Sequence, residues 1–317
     1  MSDKPFDRHK NTKANRRQVL GMLTAAGASL STAGLISGCS GQQSPGGPST
    51  ATNTGSTISG DGSVPQAAPD DTVELPPPGA GDPSTVFPAS VSSGDPTPHG
   101  AILWTRLANN AVDTSEDVLW QIAEDESFST HVAAGRIATN SLSANNDFAL
   151  KLDTDGLLEP NRFYFYRFAH IGISSRIGRL RTLPEADDDI DNLKLLITSC
   201  QDYTLAYFHA FAEMAEREAD YLVHLGDFIY ESAIVPVRPI NLPSGAQYAS
   251  SREDLLTIYR THRSDESLRL LLEKHTLIAT FDDHEFANDL YFDGERPRGP
   301  DHPLDGDPTA MTAYTRE

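Results

Sequence analysis

Leu193-Lys194-Leu195-Leu196-Ile197-Thr198-Ser199-Cys200-Gln201-Asp202, Tyr221-Leu222-Val223-His224-Leu225-Gly226-Asp227-Phe228-Ile229-Tyr230-Glu231 and Thr276-Leu277-Ile278-Ala279-Thr280-Phe281-Asp282-Asp283-His284-Glu285 share one design, an apolar run that passes straight into a polar cluster. Short apolar runs of this kind read as buried strands. Between the first two, Leu205, Phe208, Ala212 and Ala215 recur at the spacing of one helix face, which predicts a helix over 203–219. Between the last two, 251–275 reads as a second helix, with Leu255, Leu256, Tyr259, Leu268, Leu271 and Leu272 as its apolar positions. Strand, helix, strand, helix, strand predicts βαβ units and a largely parallel sheet. Such a sheet delivers all three polar clusters to its C-terminal edge, where α/β folds bind ligands.

Packing accounts poorly for that convergence. Asp282, Asp283, His284 and Glu285 are four consecutive ionisable residues, and crowded carboxylates repel one another unless a cation lies between them. Taken singly, Asp227 reads better as a helix cap, Cys200 as a small buried hydrophobe and His284 as a partner for a backbone carbonyl. Taken together, the three edges predict a metal site. Thiolate, phenolate and carboxylate donors suit a ferric ion, and neighbouring oxygen-only donors suit Ca²⁺ or Mg²⁺, so two unlike metals are expected.

Towards the N-terminus the rhythm changes. Residues 190–317 form the strand–helix part, and 86–184 carry alternating apolar runs at Ala101–Trp104, Val118–Ile122 and Phe163–Phe168 separated by turn clusters. That spacing predicts a β-sandwich of about 100 residues, immunoglobulin/fibronectin-III-like, with Trp104 and the aromatic run in its core. An acidic hinge at 185–191 joins the two parts. Residues 40–85 are rich in Gly, Ser, Pro, Thr and Asp and predict a disordered tether.

Residues 1–39 read as an export signal: a basic start, then an uncharged stretch from Gln18 to Gly38. Arg16 and Arg17 sit in a segment resembling a twin-arginine signal, and Leu35-Ile36-Ser37-Gly38-Cys39 resembles a lipobox, with Cys39 as the lipid-bearing residue. A plain secretory signal or an uncleaved anchor are the other readings. With Cys39 lipidated, Cys200 has no disulfide partner among the two cysteines, and a metal gives an exported protein a reason to keep it. The net charge of -20 excludes a basic nucleic-acid surface. Membrane contact is expected only through lipid on Cys39, with the protein monomeric and exported to the periplasm or cell surface by the twin-arginine machinery.

The motifs Ser199-Cys200-Gln201-Asp202-Tyr203, Gly226–Glu231 and Asp282-Asp283-His284-Glu285 with Asn288-Asp289 resemble three successive signatures of PhoD-type alkaline phosphatases, in the calcineurin-like metallophosphoesterase superfamily. Ser92–Pro96 with Leu103–Leu107 is similar to that family's N-terminal domain, and Tyr259–Arg263 to its middle helix. The resemblance implies an α/β (α+β) metallophosphatase domain, incomplete at Glu317, preceded by the β-sandwich. It implies Fe³⁺ on Cys200, Asp227 and Tyr230, and Ca²⁺ (or Mg²⁺ or another divalent ion) shared by Asp227, with Asp283 and Asn288 as further metal candidates. His284 matches the histidine that stabilises the transition state or protonates the leaving oxygen. The implied reaction is hydrolysis of phosphate mono- or diesters by metal-activated hydroxide or oxo attack. Two other readings stand beside it: an inactive truncated surface lipoprotein serving as a binding module, and a different metallohydrolase.

Overall fold

A computed structural model describes residues 64–70, 72–233, 237–286 and 288. Arg16, Arg17 and Cys39 lie outside the described residues. In chain order the elements are β1 (Val91–Thr97), β2 (Gly100–Arg106), β3 (Val118–Ala123), β4 (His131–Ile137), β5 (Ala149–Asp153), β6 (Phe163–His170), β7 (Ile173–Ser174), β8 (Gly178–Arg181), β9 (Leu195–Thr198), α1 (His209–Ala215), β10 (Tyr221–His224), α2 (Arg252–Arg263), α3 (Glu266–Lys274) and β11 (Thr276–Ala279). The fold is a mixed, sheet-rich α+β arrangement. Residues 184–192, which include the acidic hinge, group apart from the unit that holds the strands and helices. Within the hinge, the Glu185 N–H donates to the Asp188 carboxylate at 3.0 Å.

The expected parallel unit is present, with β10 between β9 and β11 in register: Val223 faces Ile197 and Ile278, and His224 faces Thr198 and Ala279. The three strands therefore end level. The sheet does not stop there. It runs in the order β5-β2-β1-β11-β10-β9, because β1 pairs in parallel with β11 through Gly94 and Leu277. Strands expected to belong to a separate sandwich thus extend the sheet that carries the polar clusters. Gly94 permits the junction, since a Cβ there would lie 3.2 Å from the Leu277 carbonyl oxygen. A second sheet, β4-β3-β6-β7 with β8 also on β6, packs its inward residues into one core with those of β1, β2 and β5. Trp120, Tyr166, Phe168, Leu103 and Leu150 are fully buried there.

Trp104 departs from expectation. It is only partly buried, with the Arg263 guanidinium 3.9 Å from its ring centre. The period of the β2 strand puts Leu103 in the core and Trp104 on the opposite face. Part of the stretch expected to be a polar tether is ordered: Ala67 N–H donates to the Asp153 carbonyl at 2.6 Å, Asp70 pairs with Arg136 at 3.0 Å, and Pro76 accepts from Arg167. Backbone pairing to β5 orders a stretch whose side chains bury little.

The helices are shorter than the apolar spacing implies. The first is confined to His209–Ala215, and the second is broken in two. The break lies at Asp265, whose carboxylate accepts from the Ser267 and Leu268 N–H groups and so starts a new helix. Ser251 caps α2, which has Glu253 and Asp254 in its first turn and Arg260 and Arg263 in its last, the order that suits the helix dipole. Leu196, Leu222 and Leu277 of the sheet pack under Phe208, Phe211, Leu268, Leu271 and Leu272. The run expected to be buried at 193–198 is half-exposed because β9 is an edge strand, and Ile197, on the face away from those helices, is 58 % exposed. Arg106 and Arg260 both bind the carboxylate of Asp147, at 2.7 Å each, tying α2 to β2. No helix among the described residues is long and apolar enough to cross a membrane.

Burial pushes the imidazoles of His224, His262 and His275 down to about 4 from an ordinary 6.5. In the unfolded chain each takes up a proton near pH 6.5, and in the folded chain only near 4. Unfolding therefore binds protons in that window, so their contribution is complete above pH 6.5 and is lost as pH falls towards 4. Thermal melts from pH 7.5 to 4.5 are expected to show a falling midpoint, with a shallower fall in His262→Phe; parallel slopes for the two proteins would contradict the assignment.

Candidate metal centre

Two of the three ligand-bearing loops leave their strands through a backbone conformation that ordinary residues avoid. Cys200 and Asp227 adopt positive φ, 54° and 55°, and Gly226 between β10 and Asp227 has φ 105°. Two hydrogen bonds join the loops: Cys200 N–H to the Gly226 carbonyl at 3.2 Å, and Gln201 N–H to the Asp227 carbonyl at 3.0 Å. The left-handed turns reverse the chain immediately after the strand, so that the next side chains return over the sheet edge.

What they bring together is compact. Single donor atoms of Asp227, Asp283 and His284 lie within 4.8 Å of one another. The Asp227 carboxylate, 5 % exposed, accepts from the Tyr230 hydroxyl at 3.0 Å and from the His284 backbone N–H at 3.4 Å. The Tyr230 and His284 rings sit 4.1 Å apart, centre to centre. Cys200 is exposed and lies beside the Tyr230 hydroxyl, outside the three-residue group but next to it. Asn288 is tied to the site by its backbone, its N–H donating to Glu231 at 2.8 Å.

The charges fit a cation. Among the described residues no lysine or arginine pairs with Asp227, although it is buried beside Asp283. The Tyr230 phenol is pushed up by burial first, then by the charge of Asp227 and its hydrogen bond to it, and by the neighbouring Cys200. The Tyr230 phenol thus holds its proton beside the Asp227 carboxylate. An ion would take the place of that proton, and the mixture of sulfur, phenol, imidazole and carboxylate is one that transition metals accept.

Two residues of the motifs received no role in the sequence reading. Glu231, 1 % exposed, accepts from or pairs with His284 Nδ1 at 2.8 Å. Burial alone would lower the His284 imidazole, but Glu231, followed by Asp283 and Asp227, raises it. Glu285, 5 % exposed, accepts the backbone N–H groups of Asp227 at 3.1 Å, Phe228 at 2.5 Å and Asp282 at 2.6 Å. The available signal was the position of each acid beside a donor motif, but only three-dimensional contacts distinguish a positioning carboxylate from a donor.

Two adjoining family models match the chain: "PhoD-like phosphatase, N-terminal domain" over 75–184 and "PhoD-like phosphatase" over 195–315. Alkaline phosphatase D of Bacillus subtilis (strain 168) is 33 % identical over 214 residues, covering 64 % of this chain and 36 % of that protein. A solved structure titled "Structure of PhoD" superposes with a TM-score of 0.63 at 27 % identity, covering 73 % of this chain and 44 % of that one. The chain thus spans well under two thirds of both relatives.

Gly226 is the most constrained backbone position of the centre, since a Cβ would lie 2.6 Å from the Asp282 Cβ and 2.7 Å from its nitrogen. Gly226→Ala is expected to cost at least about 2 kcal/mol, from the positive φ and the displaced 282 loop. Chemical denaturation measures this, and an unchanged midpoint would contradict the described turn.

Proposed function

The chain belongs to the PhoD-like phosphatase family, and from that membership we propose that it hydrolyses phosphate esters at a metal centre built on the 200, 227–231 and 282–288 loops. The observation that carries this reading is the convergence of Asp227, Asp283 and His284 within 4.8 Å, with Tyr230 and Cys200 alongside, inside the segment matched by the phosphatase model. Cys200, Asp227 and Tyr230 would hold Fe³⁺, and the oxygen donors of Asp227 and Asp283, with Asn288, would hold Ca²⁺ or a similar divalent ion. When bound, such ions neutralise phosphoryl charge and make water a stronger nucleophile.

The chain's own residues then have distinct tasks. Asp227 accepts from Tyr230, groups with Asp283 and His284, and is held by its left-handed turn. Tyr230 packs on the His284 ring and limits its rotation. Glu231 engages Nδ1 of His284, which leaves Nε2 to meet a phosphoryl or leaving oxygen. Positive charge at this one point supports capture of an anionic substrate by a protein of net charge -20.

Export by the twin-arginine route through Arg16 and Arg17, lipid attachment at Cys39, and an immunoglobulin-like classification of the N-terminal layers belong to the same proposal and rest on the sequence. Metal analysis and a visible spectrum of the purified chain, with hydrolysis of chromogenic phosphate mono- and diesters in added Ca²⁺, test the catalytic reading. Bound iron, a phenolate absorption lost in Tyr230→Phe, and turnover that falls to background in Asp227→Ala are expected. Colourless, metal-free protein without turnover would replace the enzyme reading with that of a binding module.

A further inference from the structure

Two buried carboxylates, neither a donor in the proposed metal sets, cross between the same two loops in opposite directions. Glu231, on the 226–231 loop, binds the His284 ring and the Asn288 N–H of the other loop, both at 2.8 Å. Glu285, on the 282–288 loop, binds the N–H groups of Asp227 and Phe228 on the first loop, and its own loop's Asp282 N–H at 2.6 Å. Each loop's glutamate therefore fixes the other loop's donor. We propose that Glu231 and Glu285 form a reciprocal clasp, as positioning residues that hold Asp227 against Asp283 and His284 before any ion arrives.

The chemistry of the carboxylate explains why an acid is needed at Glu285. Three N–H donors converge on two oxygens, and a carboxylate offers only acceptors. Glutamine has the same shape but would turn an NH₂ group towards an N–H. Holding the donors at short range before the ion binds removes ordering entropy from the binding step, as outer-layer partners of metal ligands do. The affinity part of this inference rests on the metal reading proposed above, whereas the loop coupling stands without it.

The test uses the full, metal-free chain and two readouts, amide hydrogen exchange over 226–231 and 282–288 and Ca²⁺ affinity by titration calorimetry. Glu285→Gln is expected to speed exchange about tenfold or more in both segments, including at Asn288, which Glu285 does not touch. Glu231→Gln should likewise speed exchange at Asp227 and Phe228, and each variant should weaken Ca²⁺ binding about 10- to 100-fold. Glu285→Asp, which keeps the acceptors, should lie between wild type and Glu285→Gln, and it replaces Glu285→Gln should that variant not fold. Exchange speeded only at amides that the altered side chain contacts would overturn the clasp. A wild type that binds neither Ca²⁺ nor iron would remove the metal reading while the exchange comparison still decides the coupling.

Discussion

The parallel register of β9, β10 and β11 is the constraint on which the rest depends. Because Thr198, His224 and Ala279 lie side by side, the chain emerges three times at one edge and at one height. The side chains that follow are then close enough to share an ion without any long loop to place them. A shift of one residue in the β10–β11 pairing would move the 282–285 cluster by about 3.3 Å relative to Asp227, comparable to the spacing of the donors themselves. Positive φ at Cys200, Gly226 and Asp227 completes the geometry by turning the first two loops back over the edge.

That register is supported from both sides. On one face Leu196, Leu222 and Leu277 are covered by α1 and α3. At the far edge of the parallel group, β1 continues the sheet through the close approach of Gly94 to Leu277, so the N-terminal layers brace the site instead of hanging from it. Asp147, buried between Arg106 and Arg260, links those layers to α2. Removing one partner of such a buried group leaves charge without compensation, which is costly. The rigid scaffold is what lets a few loop residues keep a fixed geometry.

Much of this was legible in the residues because a buried strand followed by polar donors is a local pattern. The three strand edges and the grouping of Asp227, Asp283 and His284 beyond them carry such local signals. The sharing of one sheet by both parts does not, since Gly94 reads as a turn residue until its partner Leu277, 183 positions away, is known. The helix break at Asp265 was masked by leucines that keep helical spacing on both sides of it. Trp104 was taken for core by its hydrophobicity, whereas its position in the strand alternation turns it to Arg263. Glu231 and Glu285 look like two more acids of the cluster, and only their hydrogen bonds to the opposite loop separate them from the donors.

Carboxylates, phenol and thiol gathered at one sheet edge form an arrangement that bound ions would neutralise. X-ray diffraction from crystals of the protein grown with iron and Ca²⁺, recorded above and below the iron absorption edge, is the decisive measurement. An iron peak bound by Cys200, Asp227 and Tyr230 is expected, with a second, non-iron density at Asp227 and Asp283. Iron absent, or bound away from Asp227, would contradict the metal reading.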